Sequence, residues 1–210
     1  MDFLTHWLAF TPVFALPLIA AALGLIINER AGLLNLGAEG IMLCGALVGV
    51  VAFIEFNGNA ALGFIFAVLS GTFLGFCFGV FTVLFRTNQV LTGITFVFLG
   101  IGLTGLIGVP WVNKAFSAIE PIHIPFLTDI PIIGRFIFGQ DIVVYVTLIL
   151  AVLVWRFLYH TRMGLRLRAV GENPRAADAG GINVEGYRLL AATMGGAFIG
   201  LAGGYLSLAI

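Results

Sequence analysis

Hydrophobic residues fall into six long runs separated by polar breaks. The runs span about 10–28, 39–56, 60–85, 90–109, 140–159 and 187–210. A membrane-crossing helix takes about 20 apolar residues, the scale of each run. Periodicity does not separate a buried helix from a buried strand in such runs, but length does. Barrel strands are about 10 residues long and alternate apolar with polar positions, which these runs do not. The pattern predicts an all-α membrane protein, a polytopic bundle of about six transmembrane helices in one domain, 1–210. Pro12 and Pro17 lie early in the first run. Pro110, Pro121, Pro125 and Pro131 mark a mixed segment, 110–139, and a polar stretch, 160–186, precedes the last run.

Composition agrees with the pattern. Of 210 residues, 60% are hydrophobic and 10% charged, against about 25% charged in an ordinary soluble domain. A soluble fold of this size has too few charges to cover so much apolar surface. These figures exclude a cytosolic globular enzyme, a nucleic-acid binder and a disordered chain. Cys44 and Cys77 sit inside apolar runs as small hydrophobes, and neither a disulfide framework nor a metal site is signalled. Met1-Asp2-Phe3 lacks the basic start of a secretory signal, so no cleavage is expected.

Net charge is zero, but the placement of the basic residues is informative. With 160–186 in the cytoplasm and six spans threaded, Arg30, Arg86, Arg156, Arg162, Arg166, Arg168, Arg175 and Arg188 all fall on the cytoplasmic side, leaving Lys114 and Arg135 outside. The positive-inside bias therefore predicts an external N-terminus and an external 110–139 segment.

Glycines recur four apart at Gly45 and Gly49, at Gly71, Gly75 and Gly79, and at Gly196, Gly200 and Gly204. Small residues at this spacing line one helix face and let backbones approach closely. Tight helix packing is the expectation, with sliding of helices during a transport cycle as the alternative. Gly100, Gly102 and Gly105 fit G-x-G-x-x-G, but they lie mid-span rather than between a strand and a helix, so no nucleotide site is expected.

Enzyme signatures are missing. His6, His123 and His160 lie in three separate regions, and Ser70, Ser117 and Ser207 have no base nearby in sequence. The polar breaks carry more. The stretch 28–40, with Asn28, Glu29, Arg30, Asn35 and Glu39, is too apolar for a free loop and too glycine-rich for a continuous span. It predicts a broken, re-entrant segment that is buried in protein or lines a wet cavity. Asn35 and Glu39, four apart, are expected to share a helix face. Glu39 is expected to have a partner, face a cavity, or be satisfied by helix-start N–H groups. A second break, 86–92, offers Asn88, Gln89 and Thr92 for hydrogen bonds to neighbouring helices or to a polar solute. Asn35, Glu39, Asn88, Gln89 and Thr92 are thus the candidates for a solute pathway.

Within 160–186, Asn173 can cap a helix with Pro174 at its first position, and Gly180 and Gly181 can stop it. A short cytoplasmic helix near Pro174–Ala179 is predicted between glycine hinges. It would either lie on the lipid surface or dock on a cytoplasmic partner.

Several of these stretches carry a resemblance. Asn35-Leu36-Gly37-Ala38-Glu39-Gly40, with Ile41-Met42 and Gly45-Ala46, resembles the N-terminal signature of ABC-transporter permeases of the branched-chain amino acid/ribose superfamily. Residues Gly164 to Pro174, then Ala176-Ala177 and Gly181-Ile182, resemble that superfamily's coupling segment. Thr87-Asn88-Gln89-Val90-Leu91-Thr92-Gly93, and the Ile124-Pro125, Asp129-Ile130-Pro131 and Phe138-Gly139-Gln140 positions, resemble the branch of simple-sugar and nucleoside importers.

The resemblance implies a channel of two permease subunits, cytoplasmic ATPase subunits that hold ATP and Mg, and an external substrate-binding lipoprotein. No cofactor is implied on this chain itself. The implied coupling residues are Arg168, Gly171, Glu172, Asn173, Pro174, Ala176, Ala177 and Gly181. The external segment, with Trp111, Glu120, His123 and Asp129, would dock the lipoprotein or form a plain cap. Family permeases continue with further spans, so a C-terminally truncated fragment, unable alone to form a pathway, is expected. An ion-coupled secondary transporter is the alternative; it would need buried acids, for which only Glu39 is a candidate. A non-transporting membrane scaffold is a third.

Overall fold

The structure, a computed structural model, describes residues 2–111 and 140–209, with side chains from Thr11 onward except Pro12. Most of the expected external segment, including Lys114, Glu120, His123, Asp129 and Arg135, lies outside the described residues. The elements run α1 (Asp2–Arg30), α2 (Ala38–Glu55), α3 (Ala60–Gly79), α4 (Gln89–Ile107), α5 (Ile142–His160), α6 (Arg162–Glu172), α7 (Pro174–Ala179) and α8 (Val184–Leu208). Six of them, α1 to α5 and α8, are long and apolar enough to cross a membrane, as the hydropathy predicts. The protein is a multi-pass membrane protein with no strand among the described residues.

Short polar side chains punctuate the helices. The side-chain oxygens of Asn59, Asn88, Thr161, Asn173 and Asn183 accept backbone N–H groups at the starts of α3, α4, α6, α7 and α8, satisfying donors that a helix start leaves free. α3 loosens into a π-helical turn, Val80–Leu84, where Phe85 N–H donates to Val80 O at 3.1 Å. Arg86 then takes a positive φ of 54° and turns the chain into α4. α1 runs through Pro17 unbroken.

α8 is the spine. It packs against α1, α2 and α3, and 56% of its span is buried, more than in any other candidate span of the described residues. The two glycine triplets find each other here. Gly71 and Gly75 of α3 lie directly on Gly196 and Gly200 of α8, and a Cβ on Gly75 would come within 2.5 Å of Ala192 O. From the other side, a Cβ on Gly45 of α2 would come within 2.8 Å of Gly200 O. Ser207 Oγ also donates to Ala46 O at 3.0 Å. Without a hydrophobic drive between helices in lipid, such close backbone packing is the main source of association. α4 rides on α2, with Gly100 set against Gly40, and α5 rides on α1.

The C-terminal ends of α1, α3 and α5 and the N-terminal ends of α2, α4 and α8 gather at one end of the bundle, together with α6 and α7. All eight described arginines belong to this end.

Candidate functional site

The segment 160–186 is more ordered than a loop carrying one short helix. Residues Arg162–Glu172 form an amphipathic helix of their own, α6, in addition to the short helix expected near Pro174–Ala179. Gly164, Leu167 and Val170, three apart, form its buried face. Leu167 packs with Ile27, Ala31, Leu158 and Ala191. The C-terminal turn of α6 then presses on α1: Gly171 meets the Arg30 carbonyl so closely that a side chain would not fit. From α8, Arg188 Nε donates to Ala31 O at 3.3 Å, neutralising a free carbonyl at the end of α1. Gly32, with φ +75°, makes the turn out of α1.

α7 follows after Asn173, whose Oδ1 accepts Ala176 N–H at 3.1 Å. Gly181, at φ +77°, ends it: Ile182 N–H donates to Ala177 O and Gly181 N–H to Asp178 O, the paired bonds of a glycine stop. Asn173, Arg175, Ala176 and Asp178 face outward, whereas Ala177 is buried and Gly171 half-buried. Glu172 and Gly181 are exposed and Pro174 half-buried. Arg168 turns away from this surface; its guanidinium lies 4.8 Å from the centre of the Tyr159 ring.

The connector 31–37 leads from α1 to α2 along the start of α4. Asn35 precedes α2 instead of belonging to it, so Asn35 and Glu39 share no helix face. Asn35 is buried, its Oδ1 accepting Gly37 N–H at 3.0 Å, while its Nδ2 has no partner among the described residues. Glu39 is exposed in the first turn of α2 and forms no ion pair among the described residues. Gln89 holds the connector: its Oε1 accepts Leu34 N–H at 2.7 Å. Gln89→Met keeps the side-chain volume and removes the acceptor. The Leu34 amide is then expected to exchange with solvent about tenfold faster, the effect of losing one hydrogen bond, as read by hydrogen-exchange mass spectrometry.

Asn88, Thr87 and Thr92 lie beside Gln89 in a groove of about 350 Å³ floored by Phe81 and Phe96. Thr87 and Thr92 hydroxyls share a 2.8 Å hydrogen bond, and Asn88 Oδ1 is committed to the start of α4. Four of the five pathway candidates, all but Glu39, are therefore joined through one connector and one helix start. Bound between apolar walls, a polar solute would meet hydroxyl and amide groups there.

A family described as branched-chain amino acid transport system / permease component matches residues 8–210. The chain belongs to that family. Among curated relatives of this permease family, a Haloferax volcanii permease protein assigned provisionally to a glucose ABC transporter is 38% identical, over 100% of this chain and 64% of its own length. A guanosine ABC transporter permease of Bacillus subtilis is 36% identical, over 92% of this chain and 64% of its own. A nucleoside ABC transporter permease of Lactococcus lactis is 34% identical, over 94% of this chain and 66% of its own. The chain thus spans just under two thirds of the length of these relatives. No solved structure matches it.

Sequence reasoning missed one buried polar pair in this permease. At the far end of the bundle, Tyr205 Oη donates to Asp141 Oδ2 at 3.1 Å, joining α8 to the start of α5. Burial pushes the Asp141 carboxyl up, and the tyrosine hydrogen bond partly opposes that. An aspartate at the very start of an apolar run was the available signal.

Proposed function

We propose that this chain is the permease subunit of an ATP-driven ABC importer that carries a nucleoside or simple sugar across the cell membrane. The observation that carries the reading is family membership combined with α7, a capped helix whose outward face consists of small and charged side chains. In this reading the arginine-rich end lies in the cytoplasm and the N-terminus outside, as the positive-inside bias favours. Two cytoplasmic ATPase subunits, a second permease subunit and an external binding lipoprotein complete the complex.

α7 and its flanks, from Arg168 through Gly181, form the coupling element, with Glu172, Asn173 and Ala176 on the face offered to the ATPase. Pro174 and Gly181 bound the helix, and Gly171 and Ala177 seat it. When the ATPases close, they displace α7 and α6. Gly171 delivers the displacement to the end of α1, and the connector carries it through Gln89 to α4. Asn35, Glu39, Asn88, Gln89 and Thr92 line the path that this movement opens and closes. The sugar and nucleoside classes are supported by the names of the relatives, and solute choice rests largely with the binding lipoprotein.

A cysteine in place of Arg175 tests the docking. With a thiol crosslinker in membranes that contain the whole transporter, the expected product is a covalent adduct with an ATPase subunit whose yield changes on adding ATP. Adducts with lipid alone, at any ATP concentration, would remove the proposed coupling.

A further inference from the structure

On the flank of the bundle, α1 and α5 enclose a groove of about 480 Å³. Its walls are apolar: Leu23, Ile26, Ala151, Val154 and Leu158. Toward the arginine-rich end its lining is Glu29, Arg30, Trp155 and Tyr159. Arg30 lines the groove, and Arg168 lies behind that lining on the same tyrosine: their guanidinium groups are 6.0 and 4.8 Å from the centre of the Tyr159 ring. Neither arginine has a carboxylate partner among the described residues. Arg168 Nε is shut off from solvent with no hydrogen-bond partner among the described residues. Set against Glu29, the two arginines leave one positive charge without a counterion. Ring contacts with tyrosine do not replace one, because a cation over an aromatic face still carries its full charge.

We infer that this groove is a binding site for an anionic glycerophospholipid. One acyl chain lies along the apolar walls, and the phosphate sits between Arg30 and Arg168. Three features select that occupant. The groove runs along two membrane-crossing helices, α1 and α5. The planar fork of arginine matches phosphate oxygens. Trp155 and Tyr159, near the end of the membrane-crossing α5, are the ring types enriched where a helix meets lipid head groups. Basic pockets between helices at the positively charged end of a membrane protein hold anionic head groups in this way. The inference rests on the membrane-crossing fold alone and does not depend on the proposed transport.

Native mass spectrometry of the purified chain tests it, with phosphatidylglycerol or phosphatidylcholine of identical acyl chains added. The wild type is expected to retain phosphatidylglycerol about tenfold better than phosphatidylcholine. R30Q/R168Q should lose that preference, and Ala151→Trp, which fills the groove, should lose bound lipid of both kinds. If R30Q/R168Q does not fold, Ala151→Trp and the wild-type preference decide the matter. Equal retention of the two lipids by the wild type overturns the site. So does release of the lipid by excess inorganic phosphate, which would make this a free-phosphate site. A bifunctional crosslinker on a cysteine at Ala151 that captures a protein subunit in native membranes, and never lipid, assigns the groove to a protein contact and overturns it as well.

Discussion

Gly196→Leu is expected to leave no folded protein. At Gly196 even the first side-chain carbon runs into the Gly71 carbonyl and comes within 2.7 Å of the Gly75 Cα. Both obstacles are main-chain atoms of α3, so no flexible side chain can move aside. Separating α3 from α8 to make room would also break the contacts at Gly200, which serves α2 as well. Forcing extra carbons into a close-packed core costs about 3 kcal/mol or more at such a site, a large share of the roughly 5–15 kcal/mol that holds a domain together. Size-exclusion chromatography of the solubilised protein should show loss of the monodisperse peak. Gly102→Ala is the control: nothing lies within 4 Å of the added carbon, and an exposed substitution changes stability by about 0.5 kcal/mol or less. Similar behaviour of the two variants would mean that the α3–α8 glycine contact is not the spine of the bundle.

Ala176→Trp is expected to break the proposed coupling while the protein stays in the membrane. Ala176 faces outward on α7, and its neighbours Asn173 and Gly181 hold that helix by bonds in which the Ala176 side chain has no part. A large ring on this face would hold off an ATPase subunit. Stimulated ATP hydrolysis by the assembled transporter is expected to fall by about tenfold or more, the effect of losing one central interface contact. Ala177→Trp should behave differently. Its side chain points inward, so the variant should lower the amount of folded protein and not merely the stimulation. Unchanged stimulation in Ala176→Trp, with normal protein in the membrane, would rule out this face as the docking surface.

The fold was legible because a bilayer imposes one simple demand. Backbone groups must be satisfied inside each crossing segment, so long apolar runs become helices with little ambiguity. The boundary at Asn173 was legible because its short polar side chain captures an N–H group; the same capture at Asn88 was not read from the sequence. α6 was hidden by its three arginines, which resemble a loop in composition. Its buried face survives only as the three-residue spacing of Gly164, Leu167 and Val170. The glycine faces were visible as periodicity, yet periodicity does not name the partner. That Gly71 meets Gly196, across 125 positions, depends on the packing of the whole bundle. The bond from Leu34 to Gln89 likewise spans 55 residues and has no local signature. The four-residue spacing of Asn35 and Glu39 fits one helix face, whereas α2 begins only at Ala38.

The contact at Gly171 has a mechanical consequence. Where two helices meet through long side chains, rotation about χ bonds absorbs small shifts, and the partner need not respond. At Gly171 main chain rests on the main chain of Arg30 and Gly32, with nothing rotatable between them. The junction has no slack. Any tilt of α6 arrives at α1 as a tilt of comparable size, before a single rotamer has changed.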